Sequence, residues 1–156
     1  MNEKQFNFFK CSAVLLTIIV LSGCFFFAPK VNVDGLVLDV ALQANDDSPV
    51  AVDFIAVNDV ELLKQLSGLT AKQWFAERNQ FQRDFRQHIS VWGLELVPGQ
   101  LIESGIFPLD GKPAVGLLVF ANYNNPGPHR LRLEGERKIW LKFDSRDMTL
   151  LDENAH

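Results

Sequence analysis

The sequence predicts a mainly β domain, a β-sandwich of about seven to eight strands with a short helical insertion, and three observations carry that reading. Short apolar or alternating segments recur roughly every 8–12 residues, separated by clusters of Gly, Pro, Asn and Asp. Helical periodicity shows only between the second and third of these segments. The chain has 156 residues, 47% apolar and 22% charged, which suits one core and is too apolar for a disordered chain. A net charge of −4 argues against affinity built on neutralising phosphates, so nucleic acid is excluded as a natural partner.

The first element is an export signal. Lys4 and Lys10 outweigh Glu3 in the first ten residues, and an uncharged apolar run from Ala13 to Leu21 follows. Nine helical residues cover less than half of a ~30 Å hydrocarbon core, so the run alone is short for a span. Leu21-Ser22-Gly23-Cys24 then has the form of a bacterial lipobox: an apolar residue, two small residues, and a cysteine to receive lipid. The chain therefore divides into a lipoprotein signal peptide (1–23), a lipidated Cys24 with a linker (24–32), and a β-sandwich domain (33–156). Cys11, the other cysteine, leaves with the signal. Three acyl chains on Cys24 would hold the protein to a bilayer almost permanently. Processing removes Glu3, Lys4 and Lys10 and takes the net charge from −4 to −5. Phe25 rather than Asp follows the cysteine, which directs the product to the outer membrane, facing the periplasm, with Phe25-Phe26-Phe27 against the headgroups.

In the body, Leu36, Leu38, Val40 and Leu42 alternate with Asp39 on the other face, the pattern of a half-buried strand. The turn formers Asn45-Asp46-Asp47-Ser48-Pro49 separate it from a second strand, Val50 to Val57. The period then changes. Asn58 precedes Glu61 by three residues, Val60, Leu63 and Leu66 share one side of a short helix, and Ser67-Gly68 stops it. Thr70 and Gln73 fit a capping box, and Trp74, Arg78, Phe81 and Phe85 follow at helical spacing, a stripe suited to packing on a sheet. Strand patterns return at 89–97, 100–107, 114–120, 129–134, 137–143 and 148–151, bounded by Pro98-Gly99, Pro108, Asp110-Gly111 and Asn124 to Pro128. The nearly unbroken apolar run at 114–120 reads as a central strand.

No catalytic constellation is visible. The body has no thiol, its histidines His88, His129 and His156 lack metal-ligand spacing, and no nucleophile elbow or phosphate-cradling glycine loop occurs. No metal site and no cofactor is expected beyond the covalent lipid on Cys24. Asp46-Asp47 reads as a solvated turn pair, and His88 as a partner of a helix C-terminus. Arg130, Arg132, Lys138 and Lys142 make a basic stripe interrupted by Glu134 and Glu136, the pattern of a solvated sheet face.

Taken in order, these pieces resemble the TssJ family, the outer-membrane lipoproteins of the bacterial type VI secretion system. Ser48-Pro49-Val50-Ala51-Val52 is similar to the family's Ser-Pro-Val opening of the second strand, and Trp74-Phe75 to its paired aromatics. Leu96-Val97-Pro98-Gly99-Gln100 is similar to its Leu-x-Pro-Gly-Glu turn, and Val115-Gly116-Leu117-Leu118-Val119-Phe120 to its apolar Val-Gly strand. The resemblance implies a transthyretin-like sandwich, no catalysis, and binding to the periplasmic region of TssM within a complex that includes TssL. It also implies a partner contact at the first inter-strand loop, here only Asn45, Asp46, Asp47 and Ser48, shorter than is common in the family. An alternative from another class is a periplasmic lipoprotein that holds a small ligand or cell-wall fragment between helices and sheet, using Trp74, Trp92 or Trp140.

Overall fold

The computed structural model describes residues 28–151; the signal peptide, Cys24, Phe25-Phe26-Phe27 and the last five residues, including His156, lie outside the described residues. One sheet contains β1 (Gly35–Val40), β4 (Leu101–Ser104), β7 (Lys138–Phe143) and β8 (Met148–Leu150) in the order β4-β1-β7-β8. The other contains β2 (Val50–Val57), β3 (Ile89–Leu96), β5 (Gly116–Ala121) and β6 (Arg130–Leu133) in the order β3-β2-β5-β6. Neighbours are antiparallel except β1 and β7, which run parallel with Leu38 opposite Leu141. Parallel strands need a long connection, and here it is the rest of the domain.

Alternation explains the layers. Leu36, Leu38 and Val40 of β1 and Ile139, Leu141 and Phe143 of β7 face Val52, Phe54 and Ala56 of β2 and Leu117, Val119 and Ala121 of β5. The opposite faces of β2 and β5 present Ile55, Val57, Leu118 and Phe120 to a second core, covered by α1 (Val60–Leu66) and α2 (Ala71–Asp84). Burial on both faces is why β2 and β5 read as almost continuous apolar runs. Among the described residues, no helix covers the outer face of the first sheet.

The helix starts differ in how well their signals hold. The Thr70–Gln73 capping box forms as expected: Gln73 N donates to Thr70 Oγ1 at 3.2 Å, and Thr70 N donates to Gln73 Oε1 at 2.8 Å. At α1 the cap is Asp59, whose carboxylate accepts from Leu62 N at 2.7 Å, and not Asn58. Asn58 N is already committed to His88 O at 2.8 Å, which pulls the chain one residue further before the helix begins. The buried face of α1 is consequently Leu62, Leu63 and Leu66, and Val60 is 65% exposed.

One polar group lies beneath the helix layer. Asp53, on β2, is 2% exposed and accepts from Trp74 Nε1 at 2.9 Å, while Arg78 Nη1 reaches it at 3.3 Å. Trp74 is fully buried between Phe81 and Phe120, with ring centroids at 5.7 and 5.5 Å. Gly93 sits opposite Asp53 in the β2–β3 register, and a Cβ there would overlap Asp53 Oδ1. The aromatic stripe of α2 is thus a packing face keyed to one buried carboxylate.

Candidate functional site

Four connections meet at one end of the sandwich: the β1–β2 loop, the β3–β4 turn, the β5–β6 loop and the β7–β8 turn. The register dictates this, because β1 and β7 end together at Val40 and Phe143, and β2 starts where β3 and β5 finish. The opposite end holds the incoming chain. There Ala114 N donates to Pro29 O at 2.9 Å, Lys30 bridges Pro113, and Val31 N donates to Lys112 O at 2.9 Å, so the body is engaged from Pro29, upstream of Val33.

The first of the four loops contains the four residues implied as a partner contact, and they divide by role. Asn45 is 1% exposed and acts as a brace: its Oδ1 accepts from Asn124 N at 2.6 Å and its Nδ2 donates to Pro49 O at 2.8 Å. Asn45, Asp46 and Asp47 all have left-handed backbones, with φ of 50, 54 and 60°, and Ser48 N closes the turn on Asn45 O at 3.2 Å. Such conformations cost non-glycine residues free energy, though Asn and Asp tolerate them best. The brace holds them, and the result is two carboxylates, Asp46 and Asp47, displayed in solvent, with Ser48 half-buried beside them.

The same end exposes three large apolar side chains. Leu42, Val97 and Leu101 are 72%, 54% and 60% exposed. Gly99, at φ +80°, donates from its backbone N to Val40 O at 3.0 Å, which locks the β3–β4 turn against the start of the β1–β2 loop. A Cβ on Gly99 would approach Leu42 Cδ2 to 2.9 Å, so glycine is needed there for both conformation and space.

The β5–β6 loop is joined to the β7–β8 turn through His129, which is buried with φ 42°. Its Nδ1 is 3.0 Å from Asp147 Oδ1 and its Nε2 is 2.9 Å from Asn125 O, so the ring spans two loops. Tyr123 packs against it at 4.9 Å between centroids. Burial, reinforced by Asp147 and Asp144, pushes the Tyr123 phenol well above its ordinary range. Through Asn45–Asn124 and His129–Asp147, three of the four loops are tied together.

The loop end presents exposed acidic and apolar side chains. No group of three His, Cys, Asp or Glu among the described residues could hold a metal. Ser48 Oγ donates to the Asp46 backbone carbonyl at 3.5 Å, and among the described residues no base or nucleophile is bonded to the Asp46 or Asp47 carboxylate. The basic stripe is a paired surface: Arg130 donates to Leu69 O, Arg132 meets Glu134 at 2.8 Å, and Lys142 meets Asp144 at 3.3 Å. A cleft of about 630 Å³ does open between the first turns of α2 and the β5–β6 loop, lined by Lys72, Phe75, Asn122 and Asn124. None of the three tryptophans borders it: Trp74 is under α2, Trp92 stacks on Phe54, and Trp140 is on the outer face of the other sheet.

No family model and no curated protein matches the sequence. Solved structures do match. The T6SS lipoprotein TssJ1 from Pseudomonas aeruginosa superposes with a TM-score of 0.58 at 13% identity, over 78% of this chain and 96% of that one. The fold is that of the TssJ lipoproteins. A chain of a structure described as a type VI membrane complex aligns with a TM-score of 0.59 at 18% identity, covering 76% of this chain and 96% of that one. A chain of a structure described as the T6SS protein TssM C-terminal domain (869-1107) from EAEC aligns with a TM-score of 0.56 at 19% identity, covering 75% and 98%.

The β1–β2 loop is legible in the sequence as a turn, and what surrounds it is not. The patch of Leu42, Val97 and Leu101 carries a faint signal, since Leu42 continues the buried alternation of β1 one step past its end and Val97 and Leu101 flank Pro98-Gly99. The His129 latch carries none, because its partners lie 4 and 18 residues away in separate loops.

Proposed function

We propose that this chain is a structural lipoprotein of the type VI secretion membrane complex, anchored in the outer membrane through Cys24, and that it binds the periplasmic region of TssM within an assembly that includes TssL. The observation that carries the reading is the two-ended layout of a TssJ-like sandwich: the chain is bonded in from Pro29 at one end, and the braced loops lie at the other. A protein tied at one end and docked at the other can link a membrane to a periplasmic partner. A non-enzymatic role is part of the same proposal.

The contact surface in this proposal is Leu42, Val97 and Leu101 with Asp46, Asp47 and Ser48, while Asn45 acts beneath it as a positioning residue. An apolar centre beside two carboxylates suits a partner segment with an aliphatic or aromatic side chain flanked by Lys or Arg. The test is isolation of the affinity-tagged full chain from solubilised membranes of its own organism. TssM should co-purify with the native chain and be lost when Asp46 and Asp47 are both replaced by Lys. Cys24→Ser should leave an unprocessed, unlipidated precursor. Membranes that yield no TssM with the native, processed protein would overturn the proposal.

A further inference from the structure

We infer that the end of the sandwich opposite the loops rests on the bilayer surface, with Ile106 and Val60 entering the headgroup layer, so that the lipid anchor holds an oriented body rather than a freely swinging one. This rests on Cys24 being the anchor. Five residue steps separate Cys24 from Pro29, the first residue bonded to the body. At ~3.6 Å per extended residue they reach no more than about 18 Å. From Pro29 onward the chain is bonded into the β4–β5 connection through Ala114 and Lys112, so no further slack follows. The end of the body that holds Pro29 is therefore confined to the neighbourhood of the membrane.

That end displays two large aliphatic side chains. Ile106 is 77% exposed and Val60 is 65% exposed. The β1–β4 register, with Leu36 opposite Ser104, carries Ile106 beyond the start of β1 to the level of Asp34. Ser104 fixes it there: its hydroxyl donates to Ile106 O at 2.8 Å and accepts from Ile106 N at 3.1 Å. The next residue, Phe107, is 2% exposed and turns into the core against Phe54 and Trp92, which leaves Ile106 facing outward. Val60 stands at the first position of α1, just past the β2 terminus, where Val57 pairs with Gly116 at the same end.

Apolar contact, not net charge, is what this end offers a membrane. Lys30 and Lys112 are exposed there, but acids accompany them. Asp34 is held by Arg137 at 2.5 Å, Asp110 accepts from Val33 N at 3.0 Å, and Asp59 caps α1. Two aliphatic side chains alone are too little to recruit a protein to lipid, but beside a tether of about 18 Å the contact becomes intramolecular and sets orientation. With β2 eight residues long, the Leu42 and Asp46 surface then stands roughly 26 Å beyond the anchored end, at ~3.3 Å per residue.

The test uses the full, lipidated chain in vesicles of phosphatidylethanolamine and phosphatidylglycerol. The processed chain has no cysteine besides the acylated Cys24, so Ile106→Cys, Val60→Cys and Leu101→Cys can each carry a single environment-sensitive fluorophore. Labels at 106 and 60 should be quenched by lipid bearing a headgroup-level quencher at least several-fold more than the label at 101, and high salt should not abolish the difference. Equal, weak quenching at all three sites in protein that floats with the vesicles would overturn the inference and leave the anchor intact, freeing that end for a protein contact instead. Failure of the protein to float would remove the anchor reading and this inference with it.

Discussion

Replacing Gly93 by Ala should destabilise the domain, and only as long as Asp53 is present. The new Cβ would overlap Asp53 Oδ1, so the buried carboxylate has to move. Moving it weakens the 2.9 Å bond from Trp74 Nε1, a charged-acceptor bond contributing about 1.5–3 kcal/mol, and leaves a buried indole donor with a desolvation penalty of about 1–3 kcal/mol. Against this stands a gain of about 0.5 kcal/mol, because glycine is a poor strand residue. The net expectation is about 2–5 kcal/mol, and for a body of this size each kcal/mol lowers the thermal midpoint by about 2–5 °C. In an Asp53→Ala background there is nothing to collide with, and Gly93→Ala should be neutral or stabilising by about 0.5 kcal/mol. Urea unfolding of the four members of the cycle, followed by far-ultraviolet circular dichroism, measures the coupling. An equal cost of Gly93→Ala in both backgrounds would refute the view that the glycine exists to make room for the carboxylate.

Other consequences can be checked in the same way. Asn45→Ala should cost about 2–4 kcal/mol by thermal melting, since it strips two buried bonds from a strained loop, whereas Asp47→Gly should raise stability by about 0.5–1 kcal/mol by relieving a left-handed backbone. Gly116→Ala would place a Cβ 2.5 Å from Leu63 Cδ2 and should cost about 1–3 kcal/mol in urea unfolding as α1 is pushed from the sheet. Tyr123 is the sole tyrosine, so its ultraviolet absorbance titrates one site. Its folded pKa is raised, so its contribution to stability is intact below the unfolded phenol value of about 10 and is lost as pH climbs toward the folded value. Tyrosinate should therefore appear together with alkaline unfolding, and Tyr123→Phe should flatten that pH dependence while leaving neutral stability unchanged or higher, because the buried hydroxyl has no hydrogen-bond partner among the described residues.

What could be read from the sequence follows from how local each determinant is. Strand positions were legible because burial imposes a period of two, and β5, covered on both faces, announced itself as the nearly unbroken apolar run at 114–120. The capping box at Thr70 was legible because both of its bonds span three residues. The start of α1 was displaced from Asn58 to Asp59 by a bond to His88, thirty residues on, which no local pattern encodes. The same limit applies at the loop end. Turn chemistry marked Asn45 to Ser48 as a loop, but the inward turn of Asn45 depends on Asn124, 79 residues away. Asp53 gave the least warning, since a carboxylate inside a strand ordinarily faces water and this one lies under Trp74.

The most direct test of the central claim is calorimetric titration of residues 28–156 with the periplasmic region of TssM from the same organism. Saturable one-to-one binding is expected, weakened at least tenfold by Leu42→Asp or by Lys at both 46 and 47, and unchanged by Ile106→Asp at the opposite end. Absence of binding between two proteins shown to be folded would contradict the assembly role itself, and binding indifferent to the loop-end substitutions would contradict the surface assigned to it.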